Sequence, residues 1–219
     1  MKLIAINIDD LKLESLMNDF KIIYNEMKEQ DITLVITSNK QYNKLYSIFS
    51  VYDNIYYVAE NGALIMHNNE VIEKNTFSEM EVVLILEDLL EYSDMIVCVS
   101  GVKGAYLQSK DRAYYDNFKQ YYEKLELVDN FEELDDQVIK FVGYVNNADE
   151  SSDKCDVMFV ENQVIDEHLI AFSMEDVTSN TGIEAICRKM NISKDDITCY
   201  DGINALEEAS ELLKRNKIS

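Results

Sequence analysis

Near-continuous apolar runs spaced by helical patterns constrain the fold of this chain more than any other feature. "KLIAINI" (2–8), "ITLVIT" (32–37) and "YYVAE" (56–60) are too apolar for strands with one wet face. Between them, "LESLMNDFKIIYNEMKEQ" sets Leu16, Phe20, Ile23 and Met27 at helical spacing, and "QYNKLYSIFSVY" (41–52) reads as a second helix. Strands of this kind separated by helices predict a parallel sheet covered on both faces. "NGALIMHNNEVIEKN" (61–75) breaks the pattern and predicts two short strands turning at Asn68-Asn69. The chain holds no proline, so its turns must rest on Asn, Asp and Gly.

The middle of the chain reads differently. "EMEVVLILEDLLEYS" (79–93) is a helix, followed by strands at "MIVCVSG" (95–101) and "GAYLQS" (104–109). The tyrosine-rich "AYYDNFKQYYEKLELV" (113–128) has helical spacing, and such a stripe predicts a half-buried helix face. "QVIKFVGYV" (137–145), "DVMFV" (156–160) and "LIAFSM" (169–174) read as strands. Antiparallel strands with the two helices on one face would make a separate α+β unit.

The first pattern then returns, with a helix at 181–192, a strand in "DITCYDG" (196–202) and a helix at 205–215. The expectation is a Rossmann-like α/β core at 1–80 and 175–219, interrupted by an α+β domain at 81–174. No Gly-, Ser- or Pro-rich linker marks the joins. With the chain stopping at Ser219, the core reads as truncated at its C-terminus and leaves the Cys199 strand at a sheet edge. Such an edge invites pairing with a second copy or a protein partner, unless side chains shield it.

Composition narrows the function classes. With 42 acidic against 20 basic residues, the formal net charge is −22. A field of that sign repels nucleic acid and anionic lipid, so neither is an expected partner. No apolar segment approaches the roughly 20 residues of a membrane span, and the first apolar run is too short for a signal peptide. The expected location is therefore the cytoplasm. Cys98, Cys155, Cys187 and Cys199 form no C-x-x-C pair and read as isolated core thiols in a reducing compartment. His67 and His168 are distant in sequence and read as structural.

Chemistry is expected beyond the carboxyl ends of the parallel strands, where open α/β sheets bind ligands. Asn7 and Asp9 follow the first strand, Thr37 and Ser38 the second, and Asp201 the last. Carboxylates converging with hydroxyls and amides suit a magnesium and phosphate site. Equally, Asp9 and Asp10 suit a turn or a helix start, and spacing does not choose between the two.

Taken in order, these segments resemble the haloacid dehalogenase superfamily, in particular the Cof-type phosphatases with a large α/β cap. "KLIAINIDDLKL" stands where such proteins carry K-L-I-A-x-D-x-D-G-T-L, and "LVITSNKQY" where their second motif ends in T-G-R. "YYVAENGALIMHNNEVI" is similar to the family's Asn-Gly-Ala hairpin, "VSGVKGAYLQS" and "YYEKLELVDNFEELDDQVIKF" to its cap, and "TGIEAICRKMNISKDDITCYDGINALEEASEL" to its closing segment.

The resemblance implies a reaction and shows where this chain departs from it. The family's nucleophilic aspartate, which takes phosphorus as an aspartyl-phosphate, corresponds to Asn7. The general acid and base corresponds to Asp9, which is kept, and the phosphate-binding hydroxyl to Thr37, with Ser38 beside it. The charge-balancing lysine corresponds to Thr181. Asp201 and Asn204 survive as metal ligands with Asp9, but a second aspartate has become Ala205. Mg2+ is the implied cofactor, its binding weakened by the lost Asp ligands.

An amide is a very poor nucleophile, and losing a nucleophile typically costs about 10⁴–10⁶ in rate. Losing the lysine removes a fixed cation that would neutralise phosphate. The expected function is a phosphatase-like protein with degenerate motifs and a binding or regulatory role. The alternative is a weak Mg-dependent phosphatase on a small phosphorylated metabolite such as a sugar phosphate. A phosphoryl-receiver domain is shorter, has no cap, and needs a phosphate-accepting aspartate that "LVITSNK" lacks.

Overall fold

The computed structural model describes residues 2–11, 13–109 and 111–218, with the backbone alone at 13–18, 194 and 216–218. In chain order the elements are β1 (Lys2–Asn7), α1 (Leu13–Glu29), β2 (Ile32–Thr37), α2 (Tyr42–Phe49), β3 (Ile55–Ala59), β4 (Leu64–His67), β5 (Glu70–Lys74) and α3 (Glu79–Glu91). They continue with β6 (Ile96–Gly101), β7 (Ala105–Leu107), α4 (Arg112–Phe118), β8 (Leu125–Leu127), β9 (Val138–Tyr144), α5 (Ala148–Ser152), β10 (Val160–Val164) and β11 (Leu169–Met174). α6 (Ser179–Met190), β12 (Ile197–Tyr200) and α7 (Ala205–Ile218) close the chain.

Two compact units result, one of residues 1–42, 48–73 and 178–219, the other of 43–47 and 74–177. The chain crosses between them a few residues from the expected boundaries at 80/81 and 174/175. Phe77 is one cause, because it is buried in the second unit's core and not in the first.

The first unit carries a sheet of order β12-β1-β2-β3-β4-β5. β12, β1, β2 and β3 run parallel, and β4 turns back antiparallel to β3. Leu3, Ala5, Val35, Val58 and Ile65 pack on one face against Ile183, Ala185, Ile186 and Cys187 of α6. Their alternate neighbours Ile4, Ile6, Leu34 and Ile36 point to the other face, where α1 and α7 lie against β2 and β1. From α1, Phe20, Ile23 and Met27 are buried, as their spacing predicts, while Leu16 lies outside the described side chains. Both faces are covered, which is why these strands could be apolar throughout.

Asn and Asp do take over the turns. Asp31, Asn54, Asn61, Asn68, Asn69, Asp176 and Asn191 all sit at positive φ. Asn68 and Asn69, at φ 50° and 64°, form the two-residue turn joining β4 to β5. Beside it, His67 stacks on Tyr56 with ring centroids 3.9 Å apart and planes 2° from parallel. Burial first, then the nearby Lys189 charge, hold His67 below its ordinary value, with Glu70 opposing. The folded chain thus binds this proton less readily than the unfolded one. The stability tied to neutral His67 is full above its ordinary value of 6.5 and is lost as pH falls below it. His67→Gln is expected to flatten that part of the stability decline between about pH 7 and 5, read from urea midpoints against the native chain.

The second unit holds a sheet of order β10-β11-β9-β6-β7-β8, antiparallel except where β8 runs parallel to β7. Its two long-predicted helices lie on opposite faces, not on one. Val82, Ile85, Leu86 and Leu89 of α3 pack with Val97, Val99, Phe141, Ile170 and Phe172. Phe118, Tyr114 and Tyr115 of α4 pack with the alternate residues Cys98, Val142 and Leu169. Both faces of these strands are apolar, so each needs its own cover.

Two further readings are corrected. The expected helix at 113–128 ends at Phe118, and Leu125–Leu127 instead pairs with β7. Phe118 and Tyr122 still meet in one cluster, so the apolar spacing survives without a continuous helix. The expected strand at 156–160 is a turn through Met158 and Phe159, the latter at φ 66°. The strand is Val160–Val164, a mostly exposed edge fixed by pairing with β11 and not by its own hydrophobicity. The short α5 was not foreseen, although Asn147 followed by acid is a start signal, and its Oδ1 accepts from the Glu150 N–H at 3.1 Å.

Of the cysteines, Cys98 and Cys187 are buried, but Cys199 is exposed on β12, the sheet edge anticipated for it. All four thiols are free.

Candidate active site

Asn7 ends β1 in register with Thr37 at the end of β2, which places the two side chains on one face. On the other side Ile6 pairs with Tyr200, so Asp201 follows at the same level beyond β12. Three adjacent parallel strands therefore end in an amide, a hydroxyl and a carboxylate.

The carboxylate of Asp9 neither caps a turn nor starts a helix. The turn after β1 is closed by its backbone, with Leu11 N–H donating to the Ile8 carbonyl at 3.2 Å. Asp9 instead reaches across to the loop after β2. Its Oδ1 accepts from the Ser38 hydroxyl and from Lys40 Nζ at 3.0 Å, and its Oδ2 accepts from the Asn39 N–H at 2.9 Å. Ser38 is fully buried, and its Oγ also accepts from the Lys40 N–H at 3.1 Å. Lys40 and Asp9 form an ion pair only partly open to solvent.

Segment 60–62 clamps this loop from behind. The Asn61 N–H donates to the Ser38 carbonyl at 3.0 Å, and the Glu60 N–H to the Lys40 carbonyl at 3.1 Å. Glu60, Asn61 and Gly62 all take positive φ to do so. A side chain on Gly62 would lie 2.1 Å from the Thr178 carbonyl oxygen, so only glycine permits this approach.

Asn7 is fixed by the turn it begins. The Asp9 N–H donates to Asn7 Oδ1 at 2.9 Å. A donor requires the amide oxygen there, which turns the amide nitrogen to the other side. The site thus meets a neutral N–H donor where a carboxylate would present charge.

The remaining expected residues are not drawn into this group. Thr181 Oγ1 donates to the Thr178 carbonyl at 2.9 Å and accepts from the Thr178 N–H at 3.0 Å, a reciprocal cap that spends the side chain on its own helix. Asp201 is exposed, and its Oδ1 accepts from the Gly202 N–H at 2.8 Å. Asn204 is exposed, and its carbonyl starts α7 by accepting from the Glu208 N–H at 3.0 Å. Lys40, Asn39 and segment 60–62 were missed as site residues. A cation two positions past Ser38 was the available signal for Lys40.

These donors do not suit Mg2+. The ion wants several oxygen donors, charged ones above all, in near-octahedral array at about 2.1 Å. Here the neutral Asn7 oxygen already accepts from the Asp9 N–H, both Asp9 oxygens accept from protein donors including an ammonium, and of the expected metal-ligating carboxylates, Asp9 and Asp201, only Asp201 keeps an open oxygen among the described residues. Among the described residues no group of three or more His, Cys, Asp or Glu could hold a metal ion. No helix is long and apolar enough to cross a membrane, among the described residues.

A cap-interrupted α/β unit with its polar strand ends defines a class. The family of haloacid dehalogenase-like hydrolases matches residues 12–200, and the chain belongs to it. A phosphatase of Escherichia coli, the 5-amino-6-(5-phospho-D-ribitylamino)uracil phosphatase YbjI, is 32% identical over 147 residues. That match covers 64% of this chain and 54% of the relative, so the chain spans about half the length of the curated relative it matches. Among solved structures, SMU.1108c from Streptococcus mutans UA159 superposes with a TM-score of 0.82 at 17% identity, covering 100% of both chains. A haloacid dehalogenase-like hydrolase from B. subtilis superposes at 0.76 and 17% identity, covering 95% of this chain and 87% of that one. These two likenesses are of fold.

Proposed function

We propose that this chain is a family member that has given up phosphoryl transfer and keeps its strand-end site for binding, in a regulatory or ligand-sensing role in the cytoplasm. The observation that carries this reading is Asn7, a neutral carboxamide whose weakly basic side-chain oxygen already accepts from the Asp9 N–H. No lone pair of useful basicity is left to attack phosphorus, since the amide nitrogen's is delocalised. Two further losses support it. Thr181 supplies no cation, and Ala205 supplies no carboxylate. The ligand class is a small phosphorylated molecule. The open edge of β12 is where a second copy or a protein partner would pair.

Turnover of p-nitrophenyl phosphate and of a panel of sugar phosphates, with magnesium present, tests the reading. The native chain is expected to stay at the buffer rate, and Asn7→Ala to change nothing. Brisk turnover that Asn7→Ala abolishes would overturn it.

A second reading, a weak phosphatase on a phosphorylated metabolite, is favoured by the relationship to the E. coli phosphatase and by the retained Asp9. In that reading Asp9 protonates the leaving group and water replaces the nucleophile. Slow turnover lost in Asp9→Asn but not in Asn7→Ala is its signature.

A further inference from the structure

We propose that Lys40 takes the place of the divalent cation at the strand-end site, which therefore binds a phosphate-type oxyanion without metal. The inference rests on the binding role proposed above and names the chemistry that performs it.

Three donor-bearing side chains lie at or just beyond the ends of β1 and β2. Lys40 Nζ spends one of its three protons on Asp9 Oδ1 and keeps two. The Asn7 amide nitrogen has no protein partner among the described residues, because its oxygen holds the Asp9 N–H. Thr37 is only 3% exposed, and its hydroxyl-bearing side chain ends β2. Its neighbour in register is Asn7, so both groups offer protons on the same face.

The charges agree with this assignment. Asp9 is neutralised by Lys40, whose backbone carbonyl accepts from the Glu60 N–H. Asn7 brings no charge where a carboxylate would repel an anion. Lysine serves phosphate as a compact point charge. The same ammonium repels a divalent ion and occupies one of the Asp9 oxygens that such an ion would need. A metal-dependent anion site and this ion pair are thus alternatives.

Inorganic phosphate, titrated calorimetrically into the full chain, is the probe. Affinity in EDTA is expected to equal that in 10 mM MgCl2 within about twofold, and MgCl2 alone to give no binding heat. Lys40→Met, which keeps the stem but not the charge, is expected to weaken phosphate at least about tenfold, with Lys40→Arg retaining binding. The comparison of EDTA with magnesium uses the native chain, so it stands even where a variant fails to fold. Phosphate binding that requires magnesium, magnesium binding by itself, unchanged affinity in Lys40→Met, or no phosphate binding would each overturn the proposal. Turnover distinguishes the two readings: metal-independent binding with brisk turnover sinks only the non-catalytic reading, and magnesium-dependent binding without turnover sinks only this one.

Discussion

Asn7→Asp, Thr181→Lys and Ala205→Asp, made together, are expected to raise phosphatase turnover by about 10⁴ or more over the native chain, and to make it magnesium-dependent. Each change restores one physical term. A carboxylate at 7 supplies the attacking oxygen and a charged metal ligand. A lysine at 181 supplies a cation from the start of α6. A carboxylate at 205, the first residue of α7, joins Asp201 at the end of β12 and is favoured there by the helix dipole. Carboxylates at 7, 201 and 205 would then make the hard oxygen set that the native chain lacks. The lysine replaces the N3 threonine of the α6 capping box, so the hydrogen bond from the Thr178 N–H is lost while the Thr178 N-cap remains. Steady-state hydrolysis of p-nitrophenyl phosphate with and without magnesium measures the gain. A native chain already as fast as the triple variant would show that the three residues are not what separates it from its active relatives.

Gly62→Val is expected to cost roughly 3–5 kcal/mol, from a strained backbone and an overfilled contact together. Gly62 holds φ at 100°, a region that β-branched residues avoid, and an added Cβ falls within 2.1 Å of the Thr178 carbonyl oxygen. Neither obstacle is a flexible side chain, so the backbone of one segment must move. Because Asn61 and Glu60 hold the loop of Ser38 and Lys40 through their own N–H groups, that movement reaches Asp9. Urea unfolding at neutral pH gives the stability loss. A variant within 1 kcal/mol of the native chain, on the scale where surface changes fall, would show that the close approach is easily relieved.

Much of the fold was legible because it is written in local periodicity. Runs such as Ile32–Thr37 are buried at every residue, and they are as apolar as a doubly covered strand must be. The Asn68-Asn69 turn followed from residue type alone. Reading failed where pairing with a distant strand set the structure. Leu125–Leu127 is a strand because β7 offers it a free edge, and Val160–Val164 because β11 does. The alternation in Leu125–Leu127 spans only three residues, and Val160–Val164 carries none that would announce it. The placement of α3 and α4 on opposite sheet faces was likewise invisible, since a helix pattern shows which side is apolar and not which surface receives it.

At the end of β1 and the start of α6, the sequence by itself determined what the residues are: an amide at 7 and a threonine at 181, where the family resemblance implies charged groups. Only the tertiary structure decided what they do. The Asp9 N–H fixes which way the amide faces, and the loop after β2 brings Lys40, thirty-one residues away, onto Asp9. Side-chain chemistry is a local property carried by each residue, whereas hydrogen-bond direction and ion pairing depend on distances that exist only once parallel strands have been set side by side.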